Sequence, residues 1–122
     1  MSRGIILIVE DELLLALALR KGLEQAGFEC ISPAVDYRSA VDLALEKRPD
    51  LILMDILLKG EKTGIDAART IQSCVPVGII FVTGNAALVK ETSTEDIDYY
   101  EVLSKPVAQA RVVAAVEAYL NS

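Results

Sequence analysis

The chain contains no histidine. That removes imidazole general-base chemistry and zinc sites of the histidine kind. Cysteine is scarce: Cys30 and Cys74 stand far apart, one in a strand-like and one in a helix-like stretch, without a metal-type spacing. A reduced, buried pair is expected rather than a disulfide. Positive charge is in deficit. A net charge of −6 and a pI near 4.6 argue against direct nucleic-acid binding by this domain. No apolar run is long enough to span a bilayer, so membrane insertion is not expected. Met1-Ser2-Arg3-Gly4 leads straight into a strand-like run without a signal-peptide layout, which predicts a cytoplasmic location. There is no linker, low-complexity tract or repeat. With 122 residues, 52% of them hydrophobic, one folded domain over 1–122 is expected.

What is present is organised around Leu51-Ile52-Leu53-Met54-Asp55, a short apolar run that stops at a carboxylate. Such a run reads as a strand buried on both faces, hence a parallel sheet. An aspartate there sits at the carboxyl end, where open α/β sheets place their chemistry, or it caps the next turn. Ile5 to Val9 is a similar strand and ends in Glu10-Asp11-Glu12.

Residues 12–26 read as a helix closed by Gly27. Leu15, Leu19, Leu23 and Ala26 share its core face, while Leu13, Leu14 and Leu17 point nearly the opposite way. Glu29 to Pro33 is a weaker strand, and Asp36 can N-cap a helix to about Arg48 with Val41, Ala44 and Leu45 inward. Thr63 starts a helix to about Ser73, with Thr63 and Asp66 forming a capping box. Pro76 opens a strand over Val77 to Val82, followed by Thr83-Gly84-Asn85. Residues 86–95 read as a helix, Tyr100 to Ser104 as a last strand, and Pro106 as the first turn of a helix ending near Leu120. Strand and helix alternate five times. That predicts a three-layer α/β fold with helices on both faces of a parallel sheet. Right-handed crossovers bring every strand's carboxyl end to one edge.

Glu10, Asp11, Asp55, Thr83 and Lys105 gather at that edge. Clustered carboxylates repel unless a cation joins them. An all-oxygen set suits Mg²⁺, which leaves positions for phosphate oxygens. Thr83 and Lys105 are donors for the remaining oxygens of one phosphoryl group. Taken singly, a strand-end threonine is usually a turn residue and a lysine before proline a solvated charge. Their joint placement points to a carboxylate built to accept a phosphoryl group.

Four motifs carry a resemblance: Val9-Glu10-Asp11, Met54-Asp55, Val82-Thr83-Gly84 and Ser104-Lys105-Pro106. Across essentially the whole chain, the sequence resembles a response-regulator receiver domain of two-component signalling. The resemblance implies a flavodoxin-like sheet of order 2-1-3-4-5. It implies that Asp55 is the phosphoacceptor, with Asp11 the main carboxylate ligand of Mg²⁺ and Glu10 acting mostly through water. The backbone carbonyl of Leu57 is a further implied ligand, Thr83 and Lys105 the phosphoryl contacts, and Lys105–Pro106 a cis peptide. It implies a phosphoacceptor and not an enzyme in the usual sense. The donor must be foreign, since there is no histidine to carry phosphate, and a sensor histidine kinase or a histidine phosphotransfer protein is implied.

The chain departs from that pattern in places. The loop Ile56 to Gly64 lacks the usual proline and is one residue longer. The position three before Lys105, usually aromatic, is Val102. Strand alternation puts Tyr100 on the Val102 face, so Tyr100, or the helix after Asn85, is the expected reporter of the phosphoryl state. Leu57 and Asn85 occupy the positions that flank the attacking water, and Leu57 cannot orient it, which predicts slow self-dephosphorylation. The plainer reading is that Leu57 packs against a neighbour, and both can hold.

The outward leucines of the first helix and Ala110, Ala114 and Ala118 of the last suggest a homodimer through those two helices, or else merely cover the sheet. Two other readings remain. A degenerate receiver would bind partners without phosphorylation. An aspartate-based phosphatase of the haloacid dehalogenase type would want a second aspartate at the Leu57 position and a substrate cap.

Overall fold

Alternate residues of the central strands part to opposite sides of one sheet, and that division places every helix. The computed structural model describes residues 2–121, with the side chain of Ser32 left out. Its strands are β1 (Ile5–Val9), β2 (Glu29–Ala34), β3 (Leu51–Met54), β4 (Gly78–Thr83) and β5 (Glu101–Ser104). The helices are α1 (Leu13–Gln25), α2 (Tyr37–Lys47), α3 (Gly64–Cys74), α4 (Ala87–Glu91) and α5 (Gln109–Leu120). The sheet order is β2-β1-β3-β4-β5, and all four pairings are parallel.

Ile6, Ile8, Leu51, Leu53, Ile80, Val82 and Leu103 face α1 and α5. Leu7, Val9, Ile52, Met54, Ile79 and Phe81 face α2, α3 and α4. Burial on both faces explains why these strands read as continuous apolar runs. Each such side chain contributes about 1.5–3 kcal/mol, and together they hold the strand ends, and so the site, in fixed register. No helix among the described residues is long and apolar enough to cross a membrane.

The expected helix signals are present. Asp36 accepts the Ser39 backbone N–H at 2.9 Å while the Ser39 hydroxyl turns back to the cap. Hydrogen bonds from Ser39 hold the Asp36 carboxyl below its ordinary pKa. Losing such a cap costs about 1 kcal/mol. Thr63 and Asp66 form the expected capping box at the start of α3. Leu19 and Leu23 are buried, and Leu13, Leu14 and Leu17 are 60, 85 and 57% exposed.

Four expectations need correction. The helix after Asn85 spans only Ala87–Glu91. The Thr92-Ser93-Thr94 run ends it, because short hydroxyl side chains compete with helical hydrogen bonding. Pro106 is not in the first turn of α5, which starts at Gln109, and Lys105–Pro106 is cis. Cys30 and Cys74 are both free, but only Cys30 is buried, because Cys74 falls on the last, outward turn of α3. Finally, Tyr100 does not share the face of Val102. Strand β5 begins at Glu101, so alternation does not reach back to it. Val102 packs with the Phe81 cluster, whereas Tyr100 meets Tyr119 edge-on at 5.3 Å between ring centroids. It is Tyr99 that contacts Phe81, at 5.6 Å.

Candidate functional site

Parallel register alone brings the acidic residues together. Val9 pairs with Met54, so the next residues, Glu10 and Asp55, leave adjacent strands side by side. Met54 pairs with Phe81, which puts Thr83 at the same edge, and Thr83 pairs with Ser104, which delivers Lys105.

The Lys105 ammonium donates to Glu10 Oε1 at 2.7 Å and to Asp55 Oδ2 at 2.9 Å. Asp55 Oδ1 accepts the Ile56 backbone N–H at 2.7 Å. Glu10 Oε2 accepts the Glu12 N–H at 3.1 Å. Glu10, Asp55 and Thr83 are 2, 7 and 0% exposed. Asp11 is the more open member. Carboxylate oxygens of Glu10, Asp11 and Asp55 lie within 4.8 Å of one another.

Burial pushes the Glu10 carboxyl above its ordinary value, and the Asp55 charge adds to the rise, while Lys105 and the Glu12 N–H pull the other way. Burial also works against the Lys105 charge, but the hydrogen bonds to Glu10 and Asp55 outweigh it, and its pKa is raised. Three carboxylates against one ammonium leave two negative charges. A divalent cation matches that deficit, and hard oxygen donors are what Mg²⁺ takes. The residues therefore fit Mg²⁺.

Thr83 Oγ1 accepts the Asn85 N–H at 3.0 Å, so its own O–H remains a donor for an oxygen brought to Asp55. Leu57 does not pack inward: it is 49% exposed, while its neighbours Ile56 and Leu58 are buried. All five residues singled out for their side chains thus stand at one sheet edge, with Leu57 on the adjoining loop.

One site residue escaped the sequence reading. Gly64 donates its N–H to the Ile56 carbonyl at 2.7 Å. A Cβ on Gly64 would overlap the Asp55 carbonyl oxygen and reach 2.9 Å from its carbonyl carbon and from Met54 Cγ. The helix start therefore presses directly on the phosphoacceptor candidate's backbone. Nothing in the local pattern marks this, because the neighbour lies nine positions earlier in the chain.

Comparisons with known proteins bear on the family and the fold. Residues 6–117 match the response regulator receiver domain family. The chain is 32% identical over 114 residues to the transcriptional regulatory protein PdtaR of Mycobacterium tuberculosis, an alignment covering 92% of this chain and 54% of that protein. It thus spans about half the length of the curated relatives it matches. The signal receiver domain of a modulated diguanylate cyclase from Desulfovibrio desulfuricans G20 superposes with a TM-score of 0.85 at 30% identity, covering 97% of this chain and 94% of that one. A CheY-like receiver domain protein from Methanospirillum hungatei JF-1 superposes at 0.87 with 23% identity, over 96% and 93% of the two chains, which speaks to the fold alone.

Proposed function

This chain belongs to the response regulator receiver domain family, and from that premise we propose that it is one phospho-accepting domain in which Asp55 takes a phosphoryl group and passes the change to a partner. The observation that carries the reading is the double contact of Lys105 with Glu10 and Asp55, beside a buried threonine and a three-carboxylate cluster.

Asp55 is the nucleophile. A sensor histidine kinase or a histidine phosphotransfer protein supplies the group. The P–N bond of its phosphohistidine breaks, a P–O bond forms to the Asp55 carboxylate, and the imidazole leaves with the electron pair. Lys105 exchanges its contact with Asp55 for one with a phosphoryl oxygen, keeping the ammonium paired. Thr83 turns its free O–H to a second oxygen. Glu10, Asp11, Asp55 and the Leu57 backbone carbonyl would hold Mg²⁺, whose charge would offset that of the phosphoryl group. The phosphorylated arrangement binds its ligands better than the unmodified one, so the ensemble shifts toward it.

Incubation with acetyl phosphate and Mg²⁺ tests this. One phosphoryl mass is expected on the intact protein, none after chelation, and none on Asp55→Asn. Uptake by Asp55→Asn equal to the parent would refute the assignment.

Leu57 presents a half-exposed aliphatic chain where a polar group would orient an attacking water. The isolated phosphorylated domain is therefore expected to keep its group for minutes or longer, and a lifetime of seconds in a chase experiment would contradict this. The outer face of α1, bearing Leu13, Leu14 and Leu17, and the exposed Ala110, Ala114 and Ala118 of α5 offer surface for a second copy. Sedimentation should then show a dimer. A monomer at high concentration, phosphorylated or not, rules that arrangement out.

A further inference from the structure

At the amino edge of the sheet, opposite the acidic cluster, lies an open groove of about 840 Å³ that shares no residue with that cluster. Its position follows from its walls: the chain entering β3, the α3–β4 connection, the segment before β5 and the end of α5. Three features set it apart.

The first is aromatic content. The chain has four tyrosines, and three of them, Tyr99, Tyr100 and Tyr119, line this one groove. Tyr99 and Tyr100 are 40 and 45% exposed. Exposed tyrosine offers a large apolar face at low entropic cost, which is why it concentrates at binding surfaces.

The second is charge. Asp50, Asp96 and Asp98 line the groove, and no lysine or arginine does. Asp50 is occupied by the Ile5 N–H at 2.7 Å and Asp96 by Arg69 at 2.7 Å. The Asp98 carboxylate has no hydrogen bond or ion pair among the described residues.

The third is that the walls are already fixed. The Gln72 side chain donates to the Val77 carbonyl at 3.0 Å and to the Asp98 carbonyl at 2.7 Å. It also accepts the Asp98 N–H at 2.9 Å, tying the lead-ins to β4 and β5 together. Tyr119 lies over Gly78, where any Cβ would overlap its ring. A site held this way loses little freedom on binding.

We propose that this groove docks an extended protein segment bearing arginine or lysine, with the cation over a tyrosine ring and paired with Asp98. Tyrosine faces attract cations, the free carboxylate supplies the complementary charge, and the lining has no cation to repel one.

The test uses a fluorescein-labelled nine-residue Gly/Ser peptide carrying two arginines, and a matched peptide with citrulline in their place. Anisotropy is measured at physiological salt with saturating Mg²⁺. Cys74, which lines the groove and is exposed, serves as a footprint through its rate of reaction with a thiol reagent. Burial pushes the Cys30 thiol up to about 11, so it stays silent.

The arginine peptide is expected to bind and to slow Cys74 several-fold. Asp98→Asn and Tyr100→Ala should each weaken it about tenfold, while Tyr100→Phe retains binding, which also guards against mere misfolding of the alanine variant. Glu95→Gln, outside the lining, should change nothing. Phosphoryl uptake by all these variants should equal that of the parent. Equal binding of the citrulline peptide, equal weakening by Glu95→Gln, or no binding at millimolar peptide would overturn the proposal. Cys74 protection that grows with protein concentration alone would assign the groove to a second copy and overturn it as well.

Discussion

Lys105→Ala is expected to lower stability by about 2–4 kcal/mol at pH 7 and to reduce phosphoryl uptake more than tenfold. The ammonium is the shared partner of two carboxylates that are almost wholly out of water. Removing it leaves Glu10 with only the Glu12 N–H. Breaking a buried pair costs more than the pair itself contributes, because the desolvated charges stay behind.

The pH dependence has a definite sign. Glu10 titrates above its ordinary value in the folded state. Its contribution to stability is therefore present below the unfolded value and is lost as pH rises through the folded one. Lys105 is raised too, so its contribution persists through neutrality and is lost only in strong alkali. Without Lys105, Glu10 rises further. The deficit of the variant should therefore shrink as pH falls toward the carboxylate range of about 4. Added Mg²⁺ should shrink it at pH 7. Urea unfolding at both pH values, with and without Mg²⁺, measures this. A deficit equal at both pH values and indifferent to Mg²⁺ would mean that the contact is structural packing and not charge neutralisation.

The second large effect concerns a residue with no chemistry of its own. Gly64→Ala should cost about 1–3 kcal/mol and depress phosphoryl uptake at least tenfold. The added methyl has to displace the Asp55 backbone, which cannot swing aside as a side chain would. A shift of about 1 Å at a reacting group is enough to cost two orders of magnitude. Gly84→Ala is the matched control, since a Cβ there meets nothing within 4 Å. It should match the parent in both urea midpoint and uptake. Normal uptake by Gly64→Ala would show that the start of α3 is free to retreat, and that Asp55 is positioned by β3 alone.

These two cases show what was legible in the chain. Glu10, Asp55 and Thr83 are legible because each ends an apolar run, Lys105 because it closes the last short strand before a proline, and parallel register does the rest. Asp36 and Thr63 were legible as caps because a cap is a local arrangement of four residues. Gly64 was not, because its constraint comes from a backbone atom distant in sequence. The side taken by Tyr100 is not legible from alternation, because β5 begins one residue later, at Glu101. The end of α4 at Glu91 is not legible from periodicity, because the hydroxyl-rich Thr92-Ser93-Thr94 run that stops it acts through competing hydrogen bonds. The amino-edge groove was invisible for the same reason as Gly64: its tyrosines, Gln72 and Asp98 belong to separate segments that meet only in the fold.

The central claim is that four segments of chain, at the ends of β1, β3, β4 and β5, meet to make Asp55 a reversible, divalent-dependent carrier of phosphate. The most direct measurement is peptide mass mapping after acetyl phosphate treatment in Mg²⁺. The expected result is a single phosphoryl group confined to the peptide containing Asp55, lost on chelation before treatment. A folded protein that stays unmodified in saturating donor and Mg²⁺, or one modified on any other peptide, would contradict the account and leave this domain a binding module.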